Sequence, residues 1–132
     1  MDPSSRVLVT LSATVSPSED RAKVLAAARN VLGDCAYTTE EGEWGITLSS
    51  TEVGCLRRIH DQLRDRHVRA AANRLLLRMR DGNRLRILLN RQAAAVGVIA
   101  LCTSEFESPL GPLAMEMECE SPEAVIEWLT AY

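Results

Sequence analysis

The chain is poor in the residues that most often announce a chemistry. Of its 132 residues only two are histidine and five are aromatic: two Trp, two Tyr and one Phe. So few rings argue against a protein that grips single strands by stacking successive bases, because that mode needs aromatic platforms. No apolar run approaches the roughly 20 residues that a membrane-spanning helix needs. The opening Met1-Asp2-Pro3-Ser4-Ser5-Arg6 places an acid where an export signal wants base, so a cytoplasmic protein is expected. The cysteines, at 35, 55, 102 and 119, form no CxxC clamp and no zinc-ligand module. In a chain long enough to build its own core and without an export signal, reduced thiols are expected. Neither GxGxxG nor GxxxxGK[ST] occurs, and a nucleotide-binding fold is not indicated.

The remaining candidates for chemistry each have a plainer explanation. His60 and His67 are two helical turns apart, whereas a zinc pair on a helix prefers a spacing of three or four, so both are expected at the surface. Cys55 and His60 fall on largely different faces of a helix, which argues against a nucleophile with its base. Asp61 and Asp65 stand among arginines at a spacing that suits helix-surface ion pairs. Glu116, Glu118 and Glu120 alternate along a strand and read as a solvated face rather than a cation site. No catalytic residue, metal ligand or cofactor is therefore expected, and a binding protein is favoured over an enzyme.

What is present reads as a single α+β domain over residues 1–132. Val7, Val9, Leu11, Ala13 and Val15 alternate with Leu8, Thr10, Ser12 and Thr14, the period of a half-buried strand. Ser16-Pro17-Ser18-Glu19 has the spacing of a capping box and predicts a helix start, and Gly33 predicts its end. Two strands follow, about Cys35 to Glu40 and Trp44 to Ser49, as a hairpin. Ser49-Ser50-Thr51-Glu52 repeats the capping spacing, and a helical pattern runs to about Arg80 with a bend near His67. Val68, Ala71, Ala72, Leu75, Leu76 and Met79 form one apolar stripe in its second half. Strands are predicted at Arg84 to Leu89, Gly97 to Leu101 and Leu113 to Cys119, then a helix opened by Ser121-Pro122-Glu123. The order β-α-β-β-α-α-β-β-β-α implies an antiparallel-rich open sheet with helices packed on one face.

Charge is the feature above background. Between Arg57 and Arg91 eleven arginines face three acids, a net +8 that leaves −11 for the rest of a chain whose total is −3. Arginine presents a planar fork that suits phosphate. Arg66, Arg69 and Arg80 fall opposite the apolar stripe, Arg84 and Arg86 share one strand face, and Asn90-Arg91-Gln92 gathers amide and guanidinium groups at a strand end. These eight residues form a candidate surface for structured RNA. Two other readings stand beside it: a solvated helix surface, and a basic patch docking on the acidic part of a second copy. For Asn90-Arg91-Gln92 in particular, a structural turn serves equally well.

Asn90-Arg91-Gln92-Ala93-Ala94-Ala95-Val96-Gly97, then Ser108-Pro109-Leu110-Gly111-Pro112, then Ser121-Pro122-Glu123-Ala124-Val125-Ile126-Glu127-Trp128-Leu129 resemble an archaeal protein family labelled predicted RNA-binding or exosome-associated. The resemblance covers the chain in element order and is most specific in its last third. It implies an α+β fold similar to that of the large-subunit ribosomal protein that contacts 5S RNA, and a homodimer. Arg91 stands where the family usually has lysine, and Ala95 where a larger apolar residue is common. The family pattern supplies no catalytic residue. The resemblance thus implies an RNA-binding or RNA-complex accessory protein, with a homodimeric scaffold as the alternative.

Overall fold

The computed structural model describes residues 7–65, 67–104 and 111–131. The elements are β1 (Val7–Thr14), α1 (Arg21–Leu32), β2 (Thr38–Glu41), β3 (Gly45–Ser50), α2 (Arg57–Asp65), α3 (Arg69–Arg78), β4 (Arg80–Asp81), β5 (Arg84–Leu89), α4 (Arg91–Ala95), β6 (Leu113–Cys119) and α5 (Pro122–Leu129). A 3-10 turn, Val53–Leu56, leads into α2. The strands make one six-stranded sheet in the order β2-β3-β1-β6-β5-β4. Every pairing is antiparallel. The fold is the α+β open sheet that the pattern of elements implies.

Alternation along the strands sorts the two faces of the sheet, because successive side chains point to opposite sides. Val7, Val9, Leu11 and Ala13 of β1 are buried and meet Ile46 and Leu48 of β3 and Met115 and Met117 of β6 across the ladders. The helices close over this face, and α1 contributes Val24, Ala27, Ala28 and Val31 to the core beneath. The other face carries Thr10, Ser12 and Thr47, with Glu116 opposite Arg86 and Glu118 opposite Arg84. Leu8 on this face is 43% exposed.

Several local expectations change. The turn at Ser16 does not open the helix: α1 begins at Arg21 with Asp20 as its cap, accepting from the Ala22 N–H. Glu19 still accepts from the Ser16 N–H, but its carboxylate is drawn into a partnership described below. Gly33 ends α1 as expected, at a φ of 69° that few other residues tolerate, and a Cβ there would press on the Arg58 side chain. Trp44, which alternation places on the same side as Ile46 and Leu48, stays outside while those two go inward. The stretch expected as a strand from Gly97 to Leu101 makes only one bridge, Leu101 to Leu89. Ahead of that bridge the chain is held not by a neighbouring strand but by Gln62, which donates to the Gly97 carbonyl at 2.7 Å and accepts from the Ile99 N–H at 2.7 Å.

The thiols also differ from expectation. Cys35 and Cys55 are joined in a disulfide with a Cα–Cα separation of 5.3 Å, while Cys102 and Cys119 are free and buried. Sequence spacing hides the pair, since 20 residues separate its members. The fold brings them together by tying the loop after α1 to the end of β3. Ser50 donates its hydroxyl to the Ala36 carbonyl, and Glu52 accepts from the Ala36 N–H. His60 is likewise not at the surface: it is buried, stacked on Trp128 of α5 with ring centroids 4.7 Å apart. His67, in contrast, is exposed, and its left-handed φ of 57° makes the expected bend between α2 and α3.

Candidate nucleic-acid interface

The arginine-rich segment does not survive folding as one free basic patch, because carboxylates from outside it come to meet it. The β5–β6 register sets Arg84 beside Glu118 at 2.8 Å and Arg86 beside Glu116 at 3.9 Å. Arg80 pairs with Glu123 in the first turn of α5. Within α2, Arg57 and Arg64 share Asp61, and Arg64 also reaches Asp65. A hydrogen bond from the His60 ring is the main reason that the Asp61 carboxyl titrates below the ordinary range; burial opposes it, and the Arg57 and Arg64 charges assist.

The eight residues expected to face RNA are thus spread over different settings. Arg66 lies outside the described residues. Arg69 is half-buried and donates to the Thr130 carbonyl, which fastens α3 to the end of α5. Arg80 is exposed on the β4–β5 hairpin, and Arg84 and Arg86 stand on the uncovered sheet face. Asn90 caps α4, accepting from the Ala93 N–H at 2.9 Å. Gln92 is exposed on the same short helix. Arg91, at 4% exposure, is closed off from any large ligand. It donates to both carboxylate oxygens of Glu19 and to the carbonyls of Thr14 and Pro112. Burial pushes the Glu19 carboxyl up, but the Ser16 N–H and the Arg91 guanidinium outweigh it and hold its pKa below the ordinary value.

Two arginines outside that set are differently placed. Arg74 and Arg78 are exposed, stand one turn apart on α3, and have no hydrogen bond or ion pair among the described residues. A signal for them does exist in the sequence. From Arg66 to Arg80 there are five arginines and no acid; Arg74 has no carboxylate three or four positions away, and Asp81, three after Arg78, falls beyond the helix in β4. Arg58 also lacks an ion pair among the described residues, but it lies on α2 and covers Gly33.

Beside Arg74 and Arg78 runs a cleft of about 430 Å³. The apolar stripe of α3 explains it. Ala72 and Leu76 enter the core, while Ala71, Leu75 and the preceding Val68 are left over on the adjoining side. Those three form one wall, and Ile99 and Leu101 form the other. A second hollow, about 480 Å³, lies on the uncovered sheet face between Ser12, Thr14, Thr47 and Arg86.

Comparison with known proteins places this architecture. A family model described as RNA binding matches residues 8–110. The chain is 36% identical over 124 residues to a UPF0201 protein of Sulfurisphaera tokodaii, covering 92% of this chain and 86% of that protein. It matches a UPF0201 protein of Sulfolobus acidocaldarius with the same identity and coverage. Among solved structures, the UPF0201 protein from Methanococcus jannaschii superposes with a TM-score of 0.78 at 23% identity, over 94% of this chain and 99% of that one. A DUF54 protein from Archaeglobus fulgidus does so with a TM-score of 0.73 at 22% identity, over 94% and 97%. At those identities the structures speak for the fold, and the sequence relatives carry the kinship: the chain belongs to the archaeal UPF0201 family, within the family model described as RNA binding.

Proposed function

We propose that the protein binds structured RNA, as an RNA-binding or RNA-complex accessory protein, through the exposed side of α3. The observation that carries this reading is the pair Arg74 and Arg78, exposed and without an internal anion among the described residues. A guanidinium already shared with a carboxylate must give up that partner to meet a phosphate, whereas a solvated one need not. The match to an RNA-binding family model over residues 8–110 includes the whole of α3. The scarcity of aromatic rings favours contact with phosphates and with the shape of a folded RNA over stacking along a single strand. Arg66 and Arg80, at the two ends of the acid-free stretch, extend the same basic run in sequence. Arg84 and Arg86, engaged with Glu118 and Glu116 on the opposite side of the sheet, fall outside this contact.

The test is fluorescence anisotropy with labelled duplex and hairpin RNAs. R74E/R78E should weaken binding to all sequences alike while leaving the circular dichroism spectrum unchanged, because phosphate contacts position a protein without reading bases. R84E should weaken it less. Absence of binding by the wild-type protein at low salt, near 50 mM, would remove this reading.

A second copy of the chain is the partner proposed for the uncovered sheet face. Leu8 and the hydroxyls of Thr10, Ser12 and Thr47 lie there, and the pairing of Arg84 and Arg86 with Glu118 and Glu116 leaves the β5–β6 part of the face without net charge. Glu40 stands at the β2 edge of this face, and the charge-balanced remainder suits an isologous contact, in which the same patch meets itself across a twofold axis. This contact would leave α3 free for RNA, since the helices lie on the other side of the sheet.

A further inference from the structure

The RNA reading leaves one feature of α3 unused, the apolar cleft beside its free arginines. Phosphate contact by itself needs no cavity. Yet Arg74 and Arg78 share the side of α3 that carries Ala71 and Leu75, since positions 71, 74, 75 and 78 repeat at helical spacing. The cations therefore stand at the rim of a space lined by Leu63, Val68, Ala71, Leu75, Ile99 and Leu101. Its volume of about 430 Å³ falls in the range of pockets that accept small organic groups.

We infer that this cleft receives an unpaired, extruded base of the bound RNA while Arg74 and Arg78 hold the phosphates that flank it. The inference rests on the proposed RNA binding and names the kind of RNA: a helix interrupted by a bulge or an internal unpaired nucleotide. The chemistry is that of a flat, largely apolar group attached to an anion, matched by an apolar slot with cations at its edge. Bases turned out of a stack are commonly held between apolar or aromatic side chains, and RNA loops and bulges offer such bases where a continuous helix does not.

Both walls are fixed before any ligand arrives. Gln62 holds the chain at Gly97 and Ile99 through two hydrogen bonds, each of 2.7 Å. On the other side, Asn73 donates to the Thr130 hydroxyl at 3.0 Å and Arg69 donates to the Thr130 carbonyl, so α3 is tied to α5. A preformed slot spares the complex the entropy of ordering its walls, so burying a base there adds to affinity instead of being offset. Val68, 37% exposed, sits just after the left-handed turn at His67, so the break between α2 and α3 is what keeps this end of the cleft open.

The experiment compares two RNA hairpins of identical stem sequence, one with a single bulged 2-aminopurine and one fully paired, by anisotropy and by 2-aminopurine fluorescence. The wild-type protein should prefer the bulged hairpin by roughly tenfold, the gain from burying about 60 Å² of the base's apolar surface at roughly 25 cal/mol per Å². The fluorescence should also change on binding as the base leaves its helix. Ala71→Trp, which fills the cleft from its exposed rim, should abolish the preference and keep the affinity for the paired hairpin. R74E/R78E should lower affinity for both. Equal affinity of the wild type for the two hairpins, or an unchanged fluorescence signal in the saturated complex, overturns the cleft assignment and leaves RNA binding standing. Binding to neither hairpin overturns both together. The fluorescence readout needs no variant, so a poorly folded Ala71→Trp protein does not decide the outcome.

Discussion

The Nη1 atom of Arg91 lies 2.9 and 2.8 Å from the two carboxylate oxygens of Glu19, 72 residues earlier in the chain. Both side chains are nearly closed to solvent, at 5% and 9% exposure. The same guanidinium donates to the Thr14 carbonyl at 2.8 Å, so one side chain fastens the start of α4 to the turn between β1 and α1. A residue with the look of a phosphate ligand is thereby a structural cation, and a residue with the look of a helix cap is its counter-ion. Buried pairs of this kind contribute little net stability over an apolar replacement, yet are costly to break from one side.

Glu19→Gln should therefore destabilise the protein at neutral pH by about 3 kcal/mol, because it strands the Arg91 charge. The folded-state pKa of Glu19 is depressed, so the stabilisation is complete above its unfolded-state pKa and is lost as pH falls through the folded value. Thermal unfolding curves of wild type and variant should converge as pH drops below the carboxylate range, about 4. A gap of equal size in neutral and acidic buffer would show that the carboxylate charge is not its source.

Salt dependence separates the free arginines from the paired ones. Each phosphate contact contributes about 0.7 to 0.9 to the slope of log affinity against log salt, so the R74A/R78A protein should show a slope shallower by nearly two. R84A should change it by well under one, since Arg84 is engaged with Glu118. Titrations over about 50 to 200 mM salt resolve the difference. The opposite ranking would move the phosphate contacts to the uncovered sheet face.

The disulfide closes a loop of 20 residues, for which chain entropy implies a stabilisation of about 3 kcal/mol. Reduction, or Cys35→Ser with Cys55→Ser, should lower the melting temperature. Thiol titration of the unreduced, denatured protein should find two thiols, from Cys102 and Cys119, and four after reduction. Four thiols before reduction would place the protein in its dithiol form as isolated.

Self-association through the uncovered sheet face should respond to a charge placed in its middle. Ser12 pairs with Thr47 on one side and Ala114 on the other, so Ser12→Arg puts an unpaired cation at the centre of the proposed contact. Light scattering should give a dimer mass for wild type and a monomer mass for Ser12→Arg, with little change in melting temperature, because the position is not in the helix-covered core. A wild-type monomer mass that persists on about tenfold concentration excludes the dimer.

What the sequence determined by itself is whatever short-range pattern encodes. Alternation wrote β1 and β6 and which of their residues go inward, Gly33 ended α1, Ser121 with Pro122 opened α5, and the turn at His67 separated α2 from α3. Each depends on neighbours within a few residues, where spacing is geometry. The tertiary structure alone decided which of the other arginines are neutralised. The acids that neutralise Arg80, Arg84, Arg86 and Arg91 come from 30 to 72 positions away, and no local count of charge registers them. The Cys35–Cys55 pair, the burial of His60 against Trp128 and the cleft beside α3 were hidden for the same reason. An apolar stripe states that a helix has a side to bury, but how much of it the core accepts depends on the sheet beneath. Here the core took Ala72 and Leu76 and left Ala71 and Leu75 beside two unpaired cations.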